Sequence, residues 1–383
     1  MSDKKRLFSL ASLAALLLLL PSGGFSAWTW AEGVRWIYLF LIAFFSCLVL
    51  SPATVWLAWR IGAVDMPDER KIHNAPVPRI GGLAVYAAFL LTVLRNQQFS
   101  TELWGILLGG TMIFALGFVD DRRPLSAGVR LFWQVAASLA VAVFGLHLSF
   151  PLKLPFGYPV SILLSVIWLV GITNAFNFMD GIDGLASSMG AVCALLFLGL
   201  GWNSDQYALS FMSAALAGAC TGFLGINWRP ARAFLGDSGS TFIGFILGCL
   251  ALYGSWATNN PVVAISTPLL VLGIPIFDII YTTVSRIRNG SVTDVRGWLE
   301  YTGKDHFHHR LMHLGLKVEH TVGFIVLLNI CLGLGAWTMR RTVTTVGTWL
   351  LLAQSVIIFI IVVVLMLLGR ESTLMPRRRG DKK

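Results

Sequence analysis

The sequence predicts an all-α, polytopic integral membrane protein. Of its 383 residues, 56% are hydrophobic and only 13% are charged, and the mean hydropathy is +0.74. Soluble domains carry about 25% charged residues, so this composition excludes an ordinary soluble enzyme. Long apolar runs recur along the chain without strand-like alternation. All five cysteines lie in such runs, which is typical of small buried side chains rather than disulfides or metal ligands.

The first element is an N-terminal hydrophobic extension at residues 1–30. Three basic residues precede a 14-residue apolar run, Leu7–Leu20, as in a signal peptide. Ala27 is a poor cleavage site because Phe25 stands where a small residue is wanted. We therefore expect a retained extra helix, and a cleaved signal segment is the alternative.

Eleven apolar runs follow, each judged against the about 20 residues that a membrane helix needs. They are 36–59, 80–95, 103–119, 131–149, 159–176, 185–201, 208–226, 240–256, 262–284, 321–338 and 346–369. They predict about 11 transmembrane helices in one polytopic domain over residues 31–370. Residues 371–383 then form a basic tail.

The distribution of Lys and Arg predicts the orientation of these helices. Every second loop, beginning with the one after the first run, belongs to one set. This set and the C-terminal tail together hold 21 of the 29 basic residues, whereas the opposite loops hold four. Cytoplasmic loops carry an excess of Lys and Arg, so the first set and the C-terminus are expected in the cytoplasm. The net charge of +10 follows mainly from these loops. No soluble domain that could hold a nucleic acid is present.

Acidic residues cluster on the same face. Eleven of the 13 Asp fall on the predicted cytoplasmic side, many at helix ends. Ionisable groups near the membrane interior are expensive and are functional candidates. Helix capping is the alternative, and it explains one Asp more readily than five on one face. Asp278 lies about two turns inside its span, and we expect Tyr281 or Thr282 to satisfy it.

The first motif is the adjacent pair Asp120 and Asp121. Their carboxylates repel each other unless a divalent cation or a proton relieves the repulsion, or unless Arg122 and Arg123 pair with them.

The second motif, NAFNFMDGIDGL at 174–185, joins two spans with almost no loop. Its two Asn, two Asp and two Gly exceed what a tight turn requires, and they suit the binding of a polar ligand.

The third motif, FLGDSGST at 234–241, directly precedes a span. Small residues at a helix N-terminus expose backbone N–H groups to an anion. Asp237 beside such an anion suggests a metal ion that bridges carboxylate and phosphate. An N-cap would explain Asp237 or Ser238 but not the whole octet.

The fourth motif is DHFHHRL at 305–311. On a helix, His306 and His309 share a face and His308 points elsewhere, so zinc ligation by all three is awkward. Imidazoles with Arg310 suit phosphate and sugar contacts or proton transfer. A solvated polar loop is the alternative.

The fifth motif, MPDERKIHNAPVPRIGG at 66–82, indicates by itself only an ordered cytoplasmic loop.

In this order and on this face, the five motifs resemble the polyprenyl-phosphate N-acetylhexosamine-1-phosphate transferase family (glycosyltransferase family 4). Within it they resemble the undecaprenyl-phosphate GlcNAc-1-phosphate transferase branch, over roughly residues 36–340. The resemblance implies that a polyprenyl phosphate attacks the β-phosphorus of a UDP-N-acetyl sugar and releases UMP. Mg²⁺ is the implied cofactor, with Mn²⁺ as the alternative. One departure is Pro124, which stands where the family often has an acid or Lys.

The resemblance also implies a role for each candidate residue. Asp237 is the expected main metal ligand, and Asn177 is expected to assist it and to hold the diphosphate. Asp120 or Asp121 would act on the lipid phosphate, as a base or by positioning it. The catalytic set therefore comprises Asp120, Asp121, His306, His308 and His309. The substrate-binding set comprises Lys71, Asn177, Asp180, Gly181, Ile182, Asp183 and Arg310, with Gly181, Ile182 and Asp183 near the uridine.

UDP-GlcNAc is the expected sugar donor. UDP-MurNAc-pentapeptide or another UDP-N-acetyl sugar is the alternative, and a transporter without catalysis is the reading from another functional class. The other partners implied are the polyprenyl phosphate lipid and the membrane, but no nucleic acid, and a homodimer is left open. The expected location is the inner (plasma) membrane, multi-pass, with the active site on the cytoplasmic face, where cell-envelope glycan synthesis begins.

Overall fold

The structure is a computed structural model that describes residues 12–15, 23–67, 75–96, 100–148, 156–257, 260–292, 303, 305–342 and 344–374. Nearly all regular structure in these residues is helical, which confirms the all-α class. The contacts within the chain divide it into two units, residues 1–258 and residues 259–383. Each unit is described by itself.

Unit 1 holds nine described helices and one short antiparallel ladder. The helices are α1 (Gly23–Ala31), α2 (Arg35–Ile61), α3 (Gly82–Asn96), α4 (Thr101–Arg122), α5 (Ala127–Val143), α6 (Gly157–Met179), α7 (Leu185–Trp202), α8 (Tyr207–Asn227) and α9 (Gly236–Tyr253). The strands are β1 (Val64–Asp65) and β2 (Val77–Pro78), with Val64 opposite Pro78 and Asp65 opposite Val77.

The core of unit 1 is built around α7 and α9. Both helices are 83% buried over their most apolar stretches, as expected for helices that are hydrophobic on every face. Helix α9 packs against α3, α4, α6, α7 and α8. Its first turn, which carries the third motif, is therefore surrounded by the ends of other helices.

Close packing of α8 on α2 depends on two glycines. A Cβ at Gly218 would collide with the carbonyl oxygen of Phe40, and one at Gly222 would collide with that of Phe44. Small residues four apart let membrane helices approach closely, because association there depends on van der Waals packing. Helix α8 in turn packs against α9.

Unit 2 holds five described helices: α10 (Pro261–Val271), α11 (Gly273–Arg288), α12 (Phe307–His313), α13 (Val318–Arg341) and α14 (Thr345–Leu374). The apolar run at 262–284 was predicted as one span, but α10 and α11 meet at an angle of 82°. Pro275 explains the break. It lacks the N–H that would bond to the carbonyl of Val271, and its ring crowds that carbonyl.

Asn329 on α13 satisfies the backbone at this bend. Its Nδ2 donates to the carbonyl oxygen of Val271 at 3.0 Å, and its Oδ1 accepts from the backbone N of Ile274 at 3.3 Å. The side chain is completely buried. Broken helices are tolerated at membrane depth where neighbouring groups pair the freed backbone, and here one carboxamide pairs both groups.

The number of spans differs from the prediction of 11. Eight described helices are long and apolar enough to cross a membrane, or nine if the bent pair counts as one span. Two further predicted spans correspond to α3 and α5, which have 15 and 17 residues. At 1.5 Å per residue, helices of that length fall short of the about 30 Å hydrocarbon core. The chain is nonetheless a multi-pass membrane protein.

The cysteine prediction holds for four of the five residues. Cys47, Cys193, Cys220 and Cys249 are buried, but Cys331 is exposed on α13, and all five are free thiols. Burial of Cys331 was wrongly predicted because an apolar run does not distinguish inward from outward faces.

Some predictions lie outside the described residues. These include Lys71, which lies in the range 68–74, and residues 375–383 of the tail. The fate of residues 1–30 and the single domain over 31–370 stay predictions.

Candidate active site

Helix α9 begins at a turn that only glycine accommodates. Gly236 has φ +71°, and a Cβ there would collide with the carbonyl oxygen of Arg79 and with the carboxylate of Asp121. Glycine adopts this left-handed conformation without the penalty that a Cβ imposes. Three segments that are distant in sequence therefore meet at the N-terminus of α9.

The carboxylate of Asp121 caps α9 from the end of α4. Its Oδ1 accepts from the backbone N of Asp237 at 2.7 Å, and its Oδ2 accepts from the backbone N of Ser238 at 3.0 Å and from its hydroxyl at 2.7 Å. The Asp121 side chain is fully buried. The first N–H groups of a helix lack partners within it and favour negative charge. Capping is therefore the structural role of Asp121, and the cap comes from another helix.

Asp237 lies between an amide and a guanidinium. Its Oδ1 accepts from Asn177 Nδ2 at 2.8 Å, and its Oδ2 lies 3.3 Å from a guanidinium nitrogen of Arg79. The side chain remains 21% exposed, in contrast to Asp121. Asp237 is thus held in place while its carboxylate can still be reached from outside.

The hydrogen bonds of Asn177 fix the orientation of its amide. Besides Asp237, the Nδ2 group donates to Ser240 Oγ at 3.0 Å, and that hydroxyl donates to the carbonyl of Gly236 at 2.9 Å. Both contacts use the amide nitrogen, so Oδ1 is directed away from Asp237. The contact seen here is one that orients Asp237; ligation of a metal through Asn177 Oδ1 stays a prediction.

Arg79 is a site residue that the motif analysis missed. Its Nε lies 3.4 Å from Asp121 Oδ1, so its guanidinium contacts two carboxylates. Burial lowers the pKa of Arg79, but the charges of Asp237 and Asp121 outweigh burial and the net shift is upward. The only signal for Arg79 was its place in the fifth motif, just before Gly81.

The short ladder positions Arg79 at this site. The backbone N of Arg79 donates to the carbonyl of Ala63 at 3.0 Å, next to the β1–β2 pairing. On its other side, the carbonyl of Pro78 accepts from the N of Phe234, and the N of Gly81 donates to the carbonyl of Phe234. The loop of the fifth motif thus pairs directly with the segment that leads into α9.

The turn after α6 brings Asp180 to the same cluster. Burial, and then the charge of Asp237, raises the pKa of Asp180 well above its usual range. Asp183 faces elsewhere: its Oδ2 accepts from the backbone N of Ala231 at 3.1 Å and lies 3.6 Å from Arg229. Gly181 is exposed, and Ile182 is buried. The second motif therefore divides between two sets of contacts.

Asp120 and Asp121 point in different directions although they are adjacent. Asp120 Oδ1 accepts from the backbone N of Leu125 at 2.6 Å, and its Oδ2 lies 3.5 Å from Arg130. These contacts hold the turn between α4 and α5. The structure therefore brings Asp121, but not Asp120, into contact with the first turn of α9.

Five residues form what we call the acidic site: Arg79, Asp121, Asn177, Asp180 and Asp237. Among the described residues no three His, Cys, Asp or Glu side chains form a preformed metal cage. Mg²⁺ does not need one, because it is usually held by one or two carboxylates together with substrate phosphates and water. A partly exposed Asp237 among further carboxylates, with a single guanidinium, fits such an ion.

The histidine motif lies in unit 2 and begins before its helix. His306 has φ −67° and ψ 158° and precedes α12, which starts at Phe307. The expectation that His306 and His309 share a helix face is therefore wrong, because His306 is not helical. The rings of His308 and His309 lie 4.2 Å apart. Arg310 donates through Nε to the carbonyl of Asp305 at 3.4 Å.

Asp278 binds the histidine motif rather than its own helix. Its Oδ2 lies 2.8 Å from His306 Nδ1, and its Oδ1 accepts from the backbone N of Phe307 at 2.7 Å. Thr282 donates to the backbone carbonyl of Asp278, not to its carboxylate. The expectation that Tyr281 or Thr282 satisfies the carboxylate is therefore wrong, since His306 and the first residue of α12 supply the partners.

His308 is buried without polar partners in the described part of the chain. It is 1% exposed, and neither ring nitrogen has a hydrogen-bond partner there. Burial, and then the neighbouring His309 and His306, holds the pKa of His308 well below its usual range. Its ring is therefore neutral at pH 7.

Comparisons with known proteins give a consistent result. The model of the family described as "Glycosyl transferase family 4" matches residues 103–255. These residues include Asp121, Asn177, Asp180 and Asp237 of the acidic site.

Curated relatives match over most of their length. The "Probable undecaprenyl-phosphate N-acetylglucosaminyl 1-phosphate transferase" of Bacillus subtilis (strain 168) is 30% identical, over 83% of this chain and 88% of the relative. The decaprenyl-phosphate N-acetylglucosaminephosphotransferase of Mycolicibacterium smegmatis is 33% identical, over 81% and 84%. The undecaprenyl-phosphate alpha-N-acetylglucosaminyl 1-phosphate transferase of Escherichia coli (strain K12) is 30% identical, over 71% and 75%.

Proposed function

The chain belongs to glycosyl transferase family 4, and from this membership we propose that it transfers N-acetylglucosamine 1-phosphate from UDP-N-acetylglucosamine to undecaprenyl phosphate. An oxygen of the lipid phosphate forms a bond to the β-phosphorus of the UDP-sugar. The bond between that phosphorus and the bridging oxygen breaks, and UMP leaves. The product is a lipid-linked diphospho-sugar, which begins a cell-envelope glycan.

The observation that carries this proposal is the setting of Asp237. It lies in the first turn of α9, held by Asn177 and Arg79, and it is the partly exposed carboxylate beside the buried Asp121. Asp237 would hold Mg²⁺ (or Mn²⁺), and the ion would supply positive charge to the diphosphate as the bond to phosphorus changes. Arg79 adds a fixed positive charge toward the same diphosphate.

Asp121 acts by positioning rather than as a base. Its two oxygens already accept three hydrogen bonds from the first turn of α9. A phosphate monoester has a second pKa of about 6, so the attacking oxygen is largely ionised at pH 7 without a base. Asp120, paired with Arg130, lies at the turn to α5, and we assign this pair to positioning the lipid phosphate.

The remaining candidate residues bind the sugar nucleotide. Asp180 of the acidic site and the next three residues of the same turn, Gly181, Ile182 and Asp183, contact the uridine and diphosphate, assisted by Lys71. For His308, His309 and Arg310 of unit 2, contact with the sugar phosphate is the assignment that the family resemblance implies. The ring of His308 has no hydrogen-bond partner among the described residues, and this supports the assignment because an imidazole can donate or accept a hydrogen bond.

The proposed location is the inner (plasma) membrane, with the acidic site on the cytoplasmic face. The excess of Lys and Arg in one set of loops supports this orientation. The acidic site lies at the C-terminal ends of α4 and α6 and the N-terminus of α9, hence at one end of unit 1. UDP-sugars are made in the cytoplasm, and the lipid substrate reaches the site from the membrane. A homodimer is compatible with this scheme.

The first experiment measures UMP release by the detergent-purified full chain. UDP-N-acetylglucosamine is supplied with and without polyprenyl phosphate and Mg²⁺. Release that requires both additions is expected. Release with UDP-MurNAc-pentapeptide or another UDP-N-acetyl sugar, but not with UDP-N-acetylglucosamine, would overturn the substrate assignment. No release with any UDP-sugar would contradict the transferase and favour binding or transport.

A pair of variants tests the role of Asp237. Asp237→Asn keeps the size of the side chain but removes its charge, and we expect at least about 100-fold slower release. The control is Asp205→Asn, since Asp205 is exposed and its carboxylate accepts a hydrogen bond from the exposed Tyr207; it should behave as wild type. Near-wild-type turnover by Asp237→Asn would refute the metal assignment.

A further inference from the structure

Both ring nitrogens of His306 are engaged by other residues of unit 2. Nδ1 lies 2.8 Å from Asp278 Oδ2, and Nε2 lies 3.2 Å from a guanidinium nitrogen of Arg286. The ring is only 6% exposed, and Asp278 and Arg286 are 1% and 3% exposed. His306 is thus enclosed by its hydrogen-bond partners rather than presented to a ligand.

The two contacts determine which nitrogen carries the proton. A guanidinium has only donors, so Nε2 of His306 must accept the hydrogen bond from Arg286. In the neutral ring the proton is then on Nδ1, which donates to the carboxylate of Asp278. The hydrogen bond at one ring nitrogen commonly sets the tautomer and orientation of a histidine in this way.

Arg286 is itself fixed by a second carboxylate. Its Nε and NH2 groups donate to the two oxygens of Asp305 at 2.8 and 2.6 Å. This parallel pair of bonds is the geometry that makes Arg–carboxylate contacts directional. Burial raises the pKa of Asp305, but Arg286 outweighs burial and the net shift is downward. The charge on Asp305 therefore holds Arg286 against His306.

Asp278 also fixes the helix that follows His306. Its second oxygen accepts from the backbone N of Phe307, the first residue of α12. One carboxylate on α11 therefore sets both the ring of His306 and the start of the helix that carries His308 and His309.

We propose that Asp278 and Arg286 are positioning residues that hold His306 as its Nδ1–H tautomer, and that His306 orients α12 instead of transferring protons. The proposal rests on the proposed function only in that α12 carries residues that contact the sugar phosphate. It gives His306 a role different from the catalytic one expected from the sequence, and it assigns roles to two residues, Asp278 and Arg286, that the motifs did not include.

The tautomer can be measured directly in the full-length protein. Solid-state ¹⁵N NMR of the chain in lipid, labelled on the histidine rings, distinguishes Nδ1–H from Nε2–H by chemical shift. The difference from His306→Asn assigns the signal. From the two hydrogen bonds we expect Nδ1 of His306 to carry the proton and Nε2 to be the unprotonated acceptor. A ring protonated on Nε2 alone would overturn the proposal.

Conservative variants separate positioning from proton transfer. In His306→Asn the amide nitrogen replaces Nδ1 and can still donate to Asp278, so UMP release should stay within about tenfold of wild type with the same pH profile. A proton-transferring histidine contributes about 100- to 10,000-fold. Loss of that size with loss of one limb of the pH profile would overturn the proposal.

Asp278→Asn tests the carboxylate itself. Asp278 accepts from both His306 and Phe307, whereas an amide has one oxygen and must face one of these donors with its own N–H. We expect about 100-fold slower turnover, as for a small misplacement of a reacting group, mainly in kcat. Thr282→Val, one turn further along α11, is the control and should behave as wild type. Wild-type turnover by Asp278→Asn would contradict the proposal.

Failure of this proposal differs from failure of the proposed function. If no UDP-sugar is turned over, the transferase assignment fails while the ring measurement still decides the tautomer. If UMP is released but the His306 ring carries its proton on Nε2, the positioning role fails and the transferase assignment stands.

Discussion

The backbone N–H of Asp237 donates a 2.7 Å hydrogen bond to the carboxylate of Asp121. One acid thereby caps the helix on which the other is displayed. The arrangement leaves Asp237 partly exposed and Asp121 fully buried. Two residues that are both acidic thus have separable functions, one in building the site and one in facing the ligand.

Asp121 and the adjacent Asp120 should differ in their effect on stability. In the wild type, three donors of the first turn of α9 share the two carboxylate oxygens of Asp121. Asp121→Asn leaves them a single oxygen, and an unsatisfied buried donor costs about 1–3 kcal/mol. Asp120→Asn keeps the oxygen that accepts from Leu125 and weakens only a contact to a partly exposed Arg130, worth about 0–1 kcal/mol. Thermal unfolding in detergent compares the two variants. Equal destabilisation would contradict the capping role.

Gly236→Ala should be more harmful than Gly290→Ala. Both glycines have positive φ, +71° and +65°, but a Cβ at Gly290 would meet no atom within 4 Å. Gly290→Ala should therefore cost only the strain of the left-handed conformation, about 1–2 kcal/mol. Gly236→Ala adds collisions with Arg79 and Asp121, and overpacking costs a further about 1–3 kcal/mol. If the two unfolding midpoints match, the close approach at Gly236 does not matter.

Asn329→Leu should destabilise the bend between α10 and α11. Leucine has a similar size but removes the hydrogen bonds of Asn329 to the carbonyl of Val271 and the N–H of Ile274, and a buried group that loses its partner costs about 1–3 kcal/mol. The matched control is Asn289→Leu, on the exposed end of α11, which should stay within about 0.5 kcal/mol of wild type. If Asn329→Leu unfolds at the same temperature as wild type, groups other than Asn329 satisfy the backbone at the bend.

His308 should make stability fall below neutral pH. Burial lowers the pKa of His308 in the folded chain, so between that value and the unfolded pKa of about 6.5 the unfolded chain binds more protons. Stability therefore rises with pH in this window and is lost as pH falls below about 6.5. His308→Asn should reduce the loss of unfolding temperature between pH 7.5 and 5.5, whereas His147→Asn, in unit 1, should leave it in place. An unchanged loss in His308→Asn would contradict a buried neutral ring.

Hydropathy located the helices of this chain well but did not fix their geometry. All 11 predicted runs coincide with a described helix or with the bent pair α10–α11, because the cost of burying polar groups in a membrane leaves a strong sequence signal. The bend was not predicted: Pro275 is visible in the sequence, but its partner Asn329 lies 55 positions beyond Ile274.

The motifs located the acidic site only in part. Asp121, Asn177, Asp180 and Asp237 were candidates and meet in unit 1. Arg79 was missed because its contact with Asp237 spans 158 positions, and single-sequence patterns carry no record of such pairings. The divergence of Asp120 and Asp121 follows from helix geometry, since consecutive side chains on a helix point in directions about 100° apart.

The bend at Leu272 also constrains the order of assembly. Synthesis proceeds from the N-terminus, so α10 and α11 leave the ribosome before α13 and its Asn329. Until α13 packs beside them, the carbonyl of Val271 and the N–H of Ile274 lack the amide of Asn329, which helps to stabilise a break inside a membrane. We therefore expect the bend to reach its final geometry only when α13 packs beside α10 and α11.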